Sequence, residues 1–361
     1  VIEVDPQTDP RWEAFVSDHP DGLVYHHPAW LQALQREYGR PIVGLVCQDS
    51  TGRLRGILPL CETKGLPLRG RDYVAGRRLS SLPRTPVCGP LAIDASATAA
   101  LVQAAAERAR ARPGTQLQLK VNSPGLNGIV DGLVPIPWRL TYVLKLPANP
   151  DDLGVSDSRA RRRNSWAVNK ARRLGVSVRL AQTEDDLRAW HRLYLQTMRD
   201  LAVPARSYRF FQALWETLRP RGLMRLLLAE HQQDRQRRLL AGSLFLTFGR
   251  TFSYAFTGWQ RGHQTLRAND LIHWQAMHDA CREGFEIYDF GEVAEGQEGL
   301  AAFKAKWGAE PRRLYRYHHP APERVTTSPR SGRGVGLLRA AWRRLPLGAT
   351  SLVGDYVYGY L

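Results

Sequence analysis

Four cysteines in 361 residues, Cys47, Cys61, Cys88 and Cys281, are few and scattered. None stands in CxxC or CxxH spacing, which argues against zinc, and nothing in their placement suggests a disulfide framework. Buried free thiols in a reducing cytoplasm are the expectation. The sequence also lacks any apolar run of the roughly 18 residues that a membrane span needs. It does not open on the charged-then-apolar pattern of a secretory leader, so a cytoplasmic chain is expected, with Val1 left after loss of a methionine or a tag. Negative charge is scarce: 34 acidic residues stand against 51 basic ones, a net +17. The excess is mostly arginine, which pairs bidentately with phosphate. Polyanionic partners are therefore favoured: RNA, an anionic membrane surface or a phosphorylated substrate. Apolar residues are plentiful at 43%. The length suits two domains of ordinary size, each with its own core.

One pattern occurs twice. Residues 42–76 and 224–258 each read as an apolar strand, a polar turn, and a glycine (Gly56, Gly242) opening a second apolar strand. A third strand follows, closing with Tyr73 to Gly76 in one copy and Tyr254 to Gly258 in the other. An antiparallel meander repeated in this way predicts two copies of one domain. Before the first copy, Pro28 opens a helix with Trp30, Leu31 and Leu34 on one face. His26 and His27 precede it with no third ligand nearby, so they are read as packing or capping residues. Between the copies, 95–112 has helical spacing and 147–154 has linker chemistry.

The most basic stretch is 159–173, RARRRNSWAVNKARR. Arg159, Arg161, Arg162, Arg163, Lys170, Arg172 and Arg173 stand there with no acidic residue. Asp157 or Ser158 would cap a helix ending at Gly175. Trp166, Ala167, Ala171 and Leu174 predict its narrow apolar face. A helix of this kind is a candidate for binding RNA phosphates. Two amphipathic helices follow, at 184–201 and 208–218, around the loop LAVPARS. After residue 317 a Pro-, Ser- and Arg-rich loop over 318–334 is expected. A basic amphipathic helix over 335–344 and an apolar tail should come next, to dock on the protein's own groove or to lie on an anionic membrane.

The chemistry is concentrated in 284–308. Residues 286–290 read as a short buried strand with Tyr288 and Phe290 around Asp289. Gly291 begins a loop to Gly299, and 300–307 read as a helical turn or two carrying Phe303 and Lys304. A carboxylate at a strand end, a glycine-rich loop and an aromatic–lysine pair make a floor for a polar pocket. YDFG, a short loop, GL, then Phe303-Lys304 and Trp307-Gly308 together resemble the C-terminal signature of the Fem family. Those aminoacyltransferases build peptidoglycan cross-bridges from aminoacyl-tRNA, on two acetyltransferase-like (GNAT-like) domains. The likeness continues upstream through 268–284 and, more loosely, over 20–318.

The resemblance implies an α+β fold of two tandem GNAT-like domains with mixed, largely antiparallel sheets flanked by helices. They would occupy 1–150 and 151–318, followed by a basic tail at 319–361. It implies direct aminoacyl transfer to an amine of a peptide or muropeptide, with Lys304 as the cation facing the oxyanion. Phe303 would be buried, turning Lys304 outward, and Asp289 would hold the amine or anchor the loop. Arg206 would hold the diphosphate of a UDP-linked muropeptide, with Tyr254 and Asn269 as further substrate contacts. Aminoacyl-tRNA would lie on the basic helix, and no cofactor or metal is implied. The chain would be cytoplasmic, with contact at the inner face of the membrane through its tail. Two other readings stay open. One is a CoA-dependent N-acyltransferase, although residues 260–265 do not fit the Q/R-x-x-G-x-G/A pyrophosphate pattern. The other is a non-catalytic RNA- or membrane-binding protein on the same scaffold. No Ser-His-Asp or Cys-His constellation is readable, which suits direct transfer rather than a covalent acyl-enzyme.

Overall fold

The computed structural model describes residues 1–64, 76–153, 158–233, 236–321 and 333–360. The chain forms two compact units, Val1–Leu140 with the stretch from Arg312, and Thr141–Pro311 with much of the C-terminal tail. The first unit begins with β1 (Ile2–Val4), α1 (Pro10–Asp18) and α2 (Pro28–Tyr38). Next come β2 (Ile42–Gln48), β3 (Leu54–Thr63), β4 (Arg78–Ser80), the short β5 (Leu91–Ala92), α3 (Ala95–Arg110) and β6 (Gln116–Val121). β7 (Val134–Lys145) runs through the unit boundary. Local chemistry sets the helix ends. Asp9 and Asp94 accept backbone N–H groups at the starts of α1 and α3, and His27 Nδ1 does the same for α2. His26 is buried, accepts from Leu23 N–H and lies 3.1 Å from the Gly89 carbonyl through Nε2. Both histidines therefore pack and cap, as read from the sequence.

The second unit opens with α4 (Ser158–Arg173), β8 (Val176–Leu180), α5 (Glu184–Asp200) and α6 (Tyr208–Thr217). It continues through β9 (Met224–Gln233), β10 (Gln236–Phe248), β11 (Thr251–Trp259), α7 (Ala268–Arg282), β12 (Ile287–Val293) and α8 (Glu298–Ala305). β13 (Glu310–His319) then pairs antiparallel with β6 of the first unit's sheet. The strand thus reaches His319, beyond the loop start expected at 318.

The duplication holds element by element. In the first unit β1 pairs antiparallel with β2, the β2–β3–β4 meander is antiparallel, and α3 leads to β6, parallel to β4. In the second, β8 pairs antiparallel with β9, the β9–β10–β11 meander is antiparallel, and α7 leads to β12, parallel to β11. In each unit two helices stand between the first strand and the meander. In the first copy, the third strand expected to end at Gly76 falls mostly on 65–75, outside the described residues; β4 lies just beyond.

Gly56 and Gly242 both stand in the second meander strand of their unit, each pressed by a helix, though not by corresponding ones. A Cβ at Gly56 would lie 2.9 Å from Leu101 of α3, and one at Gly242 2.5 Å from Trp190 of α5. The Trp190 indole also donates to the Gly242 carbonyl at 2.8 Å. The cores are ordinary: Leu58, Leu60, Leu101, Leu117 and Leu119 in the first unit, Trp190, Phe210, Phe211 and Phe245 in the second. Three of the four cysteines are buried and Cys47 is partly buried; burial pushes the Cys61 and Cys281 thiols up to about 11.

The tail is helical, with α9 (Arg333–Arg343) and α10 (Leu347–Tyr360). It docks on the second unit. Arg343 Nε donates to the Asp200 carbonyl, and a Cβ at Gly354 would sit 1.9 Å from the Ala205 carbonyl oxygen. Among the described residues no helix is long and apolar enough to cross a membrane.

Candidate active site

Lys304, on α8, is buried in the second unit. Its side chain is 2% exposed, and its Nζ donates to the carbonyls of Gly291 (2.8 Å) and Glu292 (3.0 Å). Burial pulls its pKa down to about 8, and the charges of Asp289 and Glu292 hold it from falling further. Gly291 is required twice over. Its φ is +74°, and a Cβ would meet the Tyr254 carbonyl at 3.1 Å. Asp289 Oδ1 accepts from the Thr141 hydroxyl (2.7 Å) and from Gly291 N–H (2.8 Å), which anchors the turn.

Phe303 is not the buried member of the pair. It is half-buried while Lys304 is buried, the reverse of the sequence expectation. The eight-residue α8 turns its lysine inward because two carbonyls there offer hydrogen bonds, which removes much of the cost of burying an ammonium. The Phe303 ring packs edge-on to His273, 5.3 Å between centroids, and the Lys306 ammonium lies 4.3 Å from its centre.

His273 carries no local signal in the sequence that marks it for the site. It is buried between Phe290, Tyr254 and Phe303, and its Nδ1 lies 2.8 Å from the Tyr288 hydroxyl. Burial, then the charges of Lys304 and Lys306, push its pKa to about 3, so it stays a neutral packing partner near neutral pH. Tyr254 is pushed up to about 12 by burial, so it remains a phenol.

An ion pair lies alongside. Lys306 pairs with buried Asp270 of α7, and the Lys306 carbonyl accepts from Asn164 of α4 at 2.9 Å. Neither Lys306 nor Asp270 stands out in the sequence, because 36 residues separate them. Beside this pair, the Asn269 Oδ1 and Trp307 Nε1 atoms are buried without a hydrogen-bond partner among the described residues. Asp289, Phe303, Lys304, Tyr254 and Asn269 therefore gather around β12, α7 and α8. Arg206 is held elsewhere in the unit. It is 6% exposed, its guanidinium stacked 4.1 Å from the Phe210 ring centre and 5.5 Å from that of Phe256.

α4 forms as expected, but its buried stripe is Asn164, Ala167, Val168 and Ala171. Trp166 and Leu174, expected on that stripe, are exposed, Trp166 by 50%. The 3.6-residue period places 164, 167, 168 and 171 on one face, and Trp166 falls outside it. Trp166 instead lies between Lys170 and Arg267, 5.1 and 5.5 Å from its ring centre. Arg267 opens α7 at φ +58° without a side-chain cap. Arg162, Arg163, Arg172 and Arg173 are exposed, and the side chains of Arg159 and Arg161 lie outside the described set, as does the cap candidate Asp157. Among the described residues no group of three or more His, Cys, Asp or Glu could hold a metal ion.

Residues 158–305 match the family described as an acetyltransferase (GNAT) domain. By sequence, no curated protein matches the chain. Among solved structures, FemX superposes with a TM-score of 0.66 at 16% identity, over 88% of this chain and 97% of that one. The C-terminal domain of a putative lysylphosphatidylglycerol synthetase from Agrobacterium fabrum gives 0.55 at 12% identity, over 92% and 95%. A tandem GNAT protein from the clavulanic acid biosynthesis pathway gives 0.51 at 14%, over 90% and 99%. At these identities the likenesses establish the fold alone: the chain has a double GNAT-like fold, similar to that of FemX, and its 158–305 segment matches the GNAT domain family.

Proposed function

We propose that the protein is an aminoacyltransferase that moves an amino acid from aminoacyl-tRNA to an amine, as on a peptidoglycan precursor or related peptide. The observation that carries this reading is the buried Lys304 ammonium. An ammonium has three N–H bonds, and two are spent on the carbonyls of Gly291 and Glu292. The third is left for an oxygen on which negative charge grows. The amine nitrogen attacks the ester carbonyl, a C–N bond forms, and the carbonyl oxygen becomes an oxyanion beside Lys304. Collapse breaks the ester C–O bond; the ribose oxygen leaves and takes up a proton while the new amide nitrogen gives one up. Preorganised charge at the oxyanion is the main demand of such a step.

The other groups have supporting roles. Asp289 fixes the turn that carries the lysine's acceptors, Phe303 packs beside the reacting groups, and Tyr254 and Asn269 line the acyl side. Arg206 would neutralise an anionic group of the acceptor. The exposed cations of α4 and Trp166 would carry the RNA. The GNAT match and the FemX and lysylphosphatidylglycerol synthetase likenesses support acyl transfer as the reaction class. The tail would add contact with an anionic membrane at its inner face, since Leu352, on α10, is 71% exposed and Arg339 and Arg344 are exposed nearby in sequence.

A CoA-dependent transfer is the second reading, favoured by the acetyltransferase description of the matched family. One experiment separates the two: transfer of labelled acyl groups to amine acceptors from charged tRNA and, separately, from acetyl-CoA. Transfer from tRNA alone is expected. Transfer from acetyl-CoA alone would replace this proposal with the second reading.

A further inference from the structure

The first unit holds a cavity of about 420 Å³ that the transfer reaction does not use. It lies where α2 and α3 end, beside the last residues of β3 and the approach to β4. Among the described residues five cations line it, Arg40, Lys64, Arg77, Arg108 and Arg112, against one carboxylate, Glu62. Cations at helix C-termini are an ordinary response to the helix dipole, and this accounts for Arg108 and Arg112. It does not account for Lys64 and Arg77, which stand at strand ends.

The positive charge is only partly cancelled locally. Glu62 pairs with Arg112, and Arg108 pairs with Glu3. Among the described residues the side chains of Lys64 and Arg77 have no hydrogen-bond or ion-pair partner. Arg108, in the last turn of α3, and Arg112, just past its end, repel each other as like charges. Burial and the Arg112 charge together hold the Arg108 pKa below the usual arginine value. A multiply charged anion would relieve that repulsion. The volume falls within the range of small-ligand pockets. No aromatic ring lines it among the described residues. Recognition would rest on charge and on guanidinium forks that match phosphate oxygens.

We propose that this pocket binds a diphosphate group, carried by inorganic pyrophosphate or by a small diphosphate ester. The site goes beyond the transfer reaction proposed for the second unit and does not depend on it.

Isothermal titration at fixed ionic strength tests this, with inorganic pyrophosphate, inorganic phosphate and ADP as probes. One pyrophosphate per chain is expected, at least tenfold tighter than phosphate. ADP binding as tightly as pyrophosphate would assign the site to diphosphate esters as well; much weaker ADP binding would restrict it to pyrophosphate. Lys64→Ala/Arg77→Ala should weaken pyrophosphate at least tenfold. Both positions are exposed, and thermal melting checks the fold; the single Lys64→Gln, expected to weaken binding about threefold, serves if the double variant melts early. Arg162→Glu/Arg163→Glu on α4 should leave pyrophosphate affinity unchanged. Equal affinity in the native and Lys64/Arg77 proteins, or a loss confined to the α4 variant, would overturn the proposal. Neither result bears on transfer from charged tRNA, which is assayed separately.

Discussion

The Lys304 ammonium lies 2.8 Å from the carbonyl oxygen of Gly291, a residue whose left-handed backbone only glycine adopts readily. The lysine is therefore part of the turn as well as a candidate for chemistry, and its removal acts on both. Lys304→Met leaves the Gly291 and Glu292 carbonyls without their donor, which costs about 1–3 kcal/mol of stability. Losing an oxyanion donor lowers turnover by roughly 100- to 1000-fold. The variant should therefore melt earlier yet remain folded at assay temperature, with transfer nearly abolished. Single-turnover transfer beside a melting curve separates the two. Full transfer in a folded Lys304→Met protein would make the lysine a purely structural tie.

The pH dependence follows from the same burial. The Lys304 pKa falls from 10.5 to about 8 in the folded protein. The unfolded chain holds this proton more tightly, so from pH 8 to 10.5 this group's contribution to stability rises with pH. The catalytic role needs the charged form, so transfer should fall as pH rises through about 8. Opposite trends mean that lost activity in this range is not unfolding. Transfer rates from pH 6.5 to 9.5, corrected for hydrolysis of the charged tRNA, provide the check. A rate that climbs to a plateau above pH 8 would point to neutral Lys304 acting as a base instead.

The duplicated fold is legible in the sequence because each meander carries its own local marks, a polar turn and the helix-facing glycines Gly56 and Gly242. The facing of single side chains is less legible. Phe303 and Lys304 are adjacent, so which one is buried depends on carbonyls 12 and 13 residues before Lys304 rather than on α8's own pattern. Trp166 and Ala167 pose the same problem on α4: an error of one position moves the tryptophan from core to surface. The Lys306–Asp270 pair and the return of β13 to β6 are contacts between segments far apart in sequence, which no local period encodes.

Gly258 supplies a test of the packing in the second unit. A Cβ there would lie 2.5 Å from the Tyr194 backbone nitrogen, and α5 has no flexible side-chain end to give way. Gly258→Ala should destabilise by about 1–3 kcal/mol, the usual cost of overpacking, or by more. Gly262, with nothing within 4 Å of its would-be Cβ, should accept alanine with little change. Chemical denaturation of both variants checks the contrast; equal stabilities would mean that α5 moves away from β11 more freely than the packing allows.

The basic face of α4 gives the test most specific to the proposed donor. Arg162, Arg163, Arg172 and Arg173 are exposed, and Trp166 presents a half-exposed ring between Lys170 and Arg267. Cations following a phosphate backbone, with an aromatic surface among them, suit RNA better than a merely solvated helix. Removing one arginine–phosphate pair should reduce the salt dependence of binding by roughly one unit of slope. Arg162→Glu/Arg163→Glu should therefore weaken tRNA binding at least tenfold at low salt and flatten its plot against log salt. Trp166→Ala removes stacking but no charge; it should weaken binding by about 1–3 kcal/mol and leave the slope unchanged. Asn164, whose amide ties α4 to the Lys306 carbonyl, lies on the buried stripe away from these groups, so neither substitution should move the melting temperature. Fluorescence anisotropy with labelled tRNA across a salt series reads both effects. Unchanged affinity in the charge-reversal variant would leave α4 as a solvated basic helix and remove the main support for a tRNA donor.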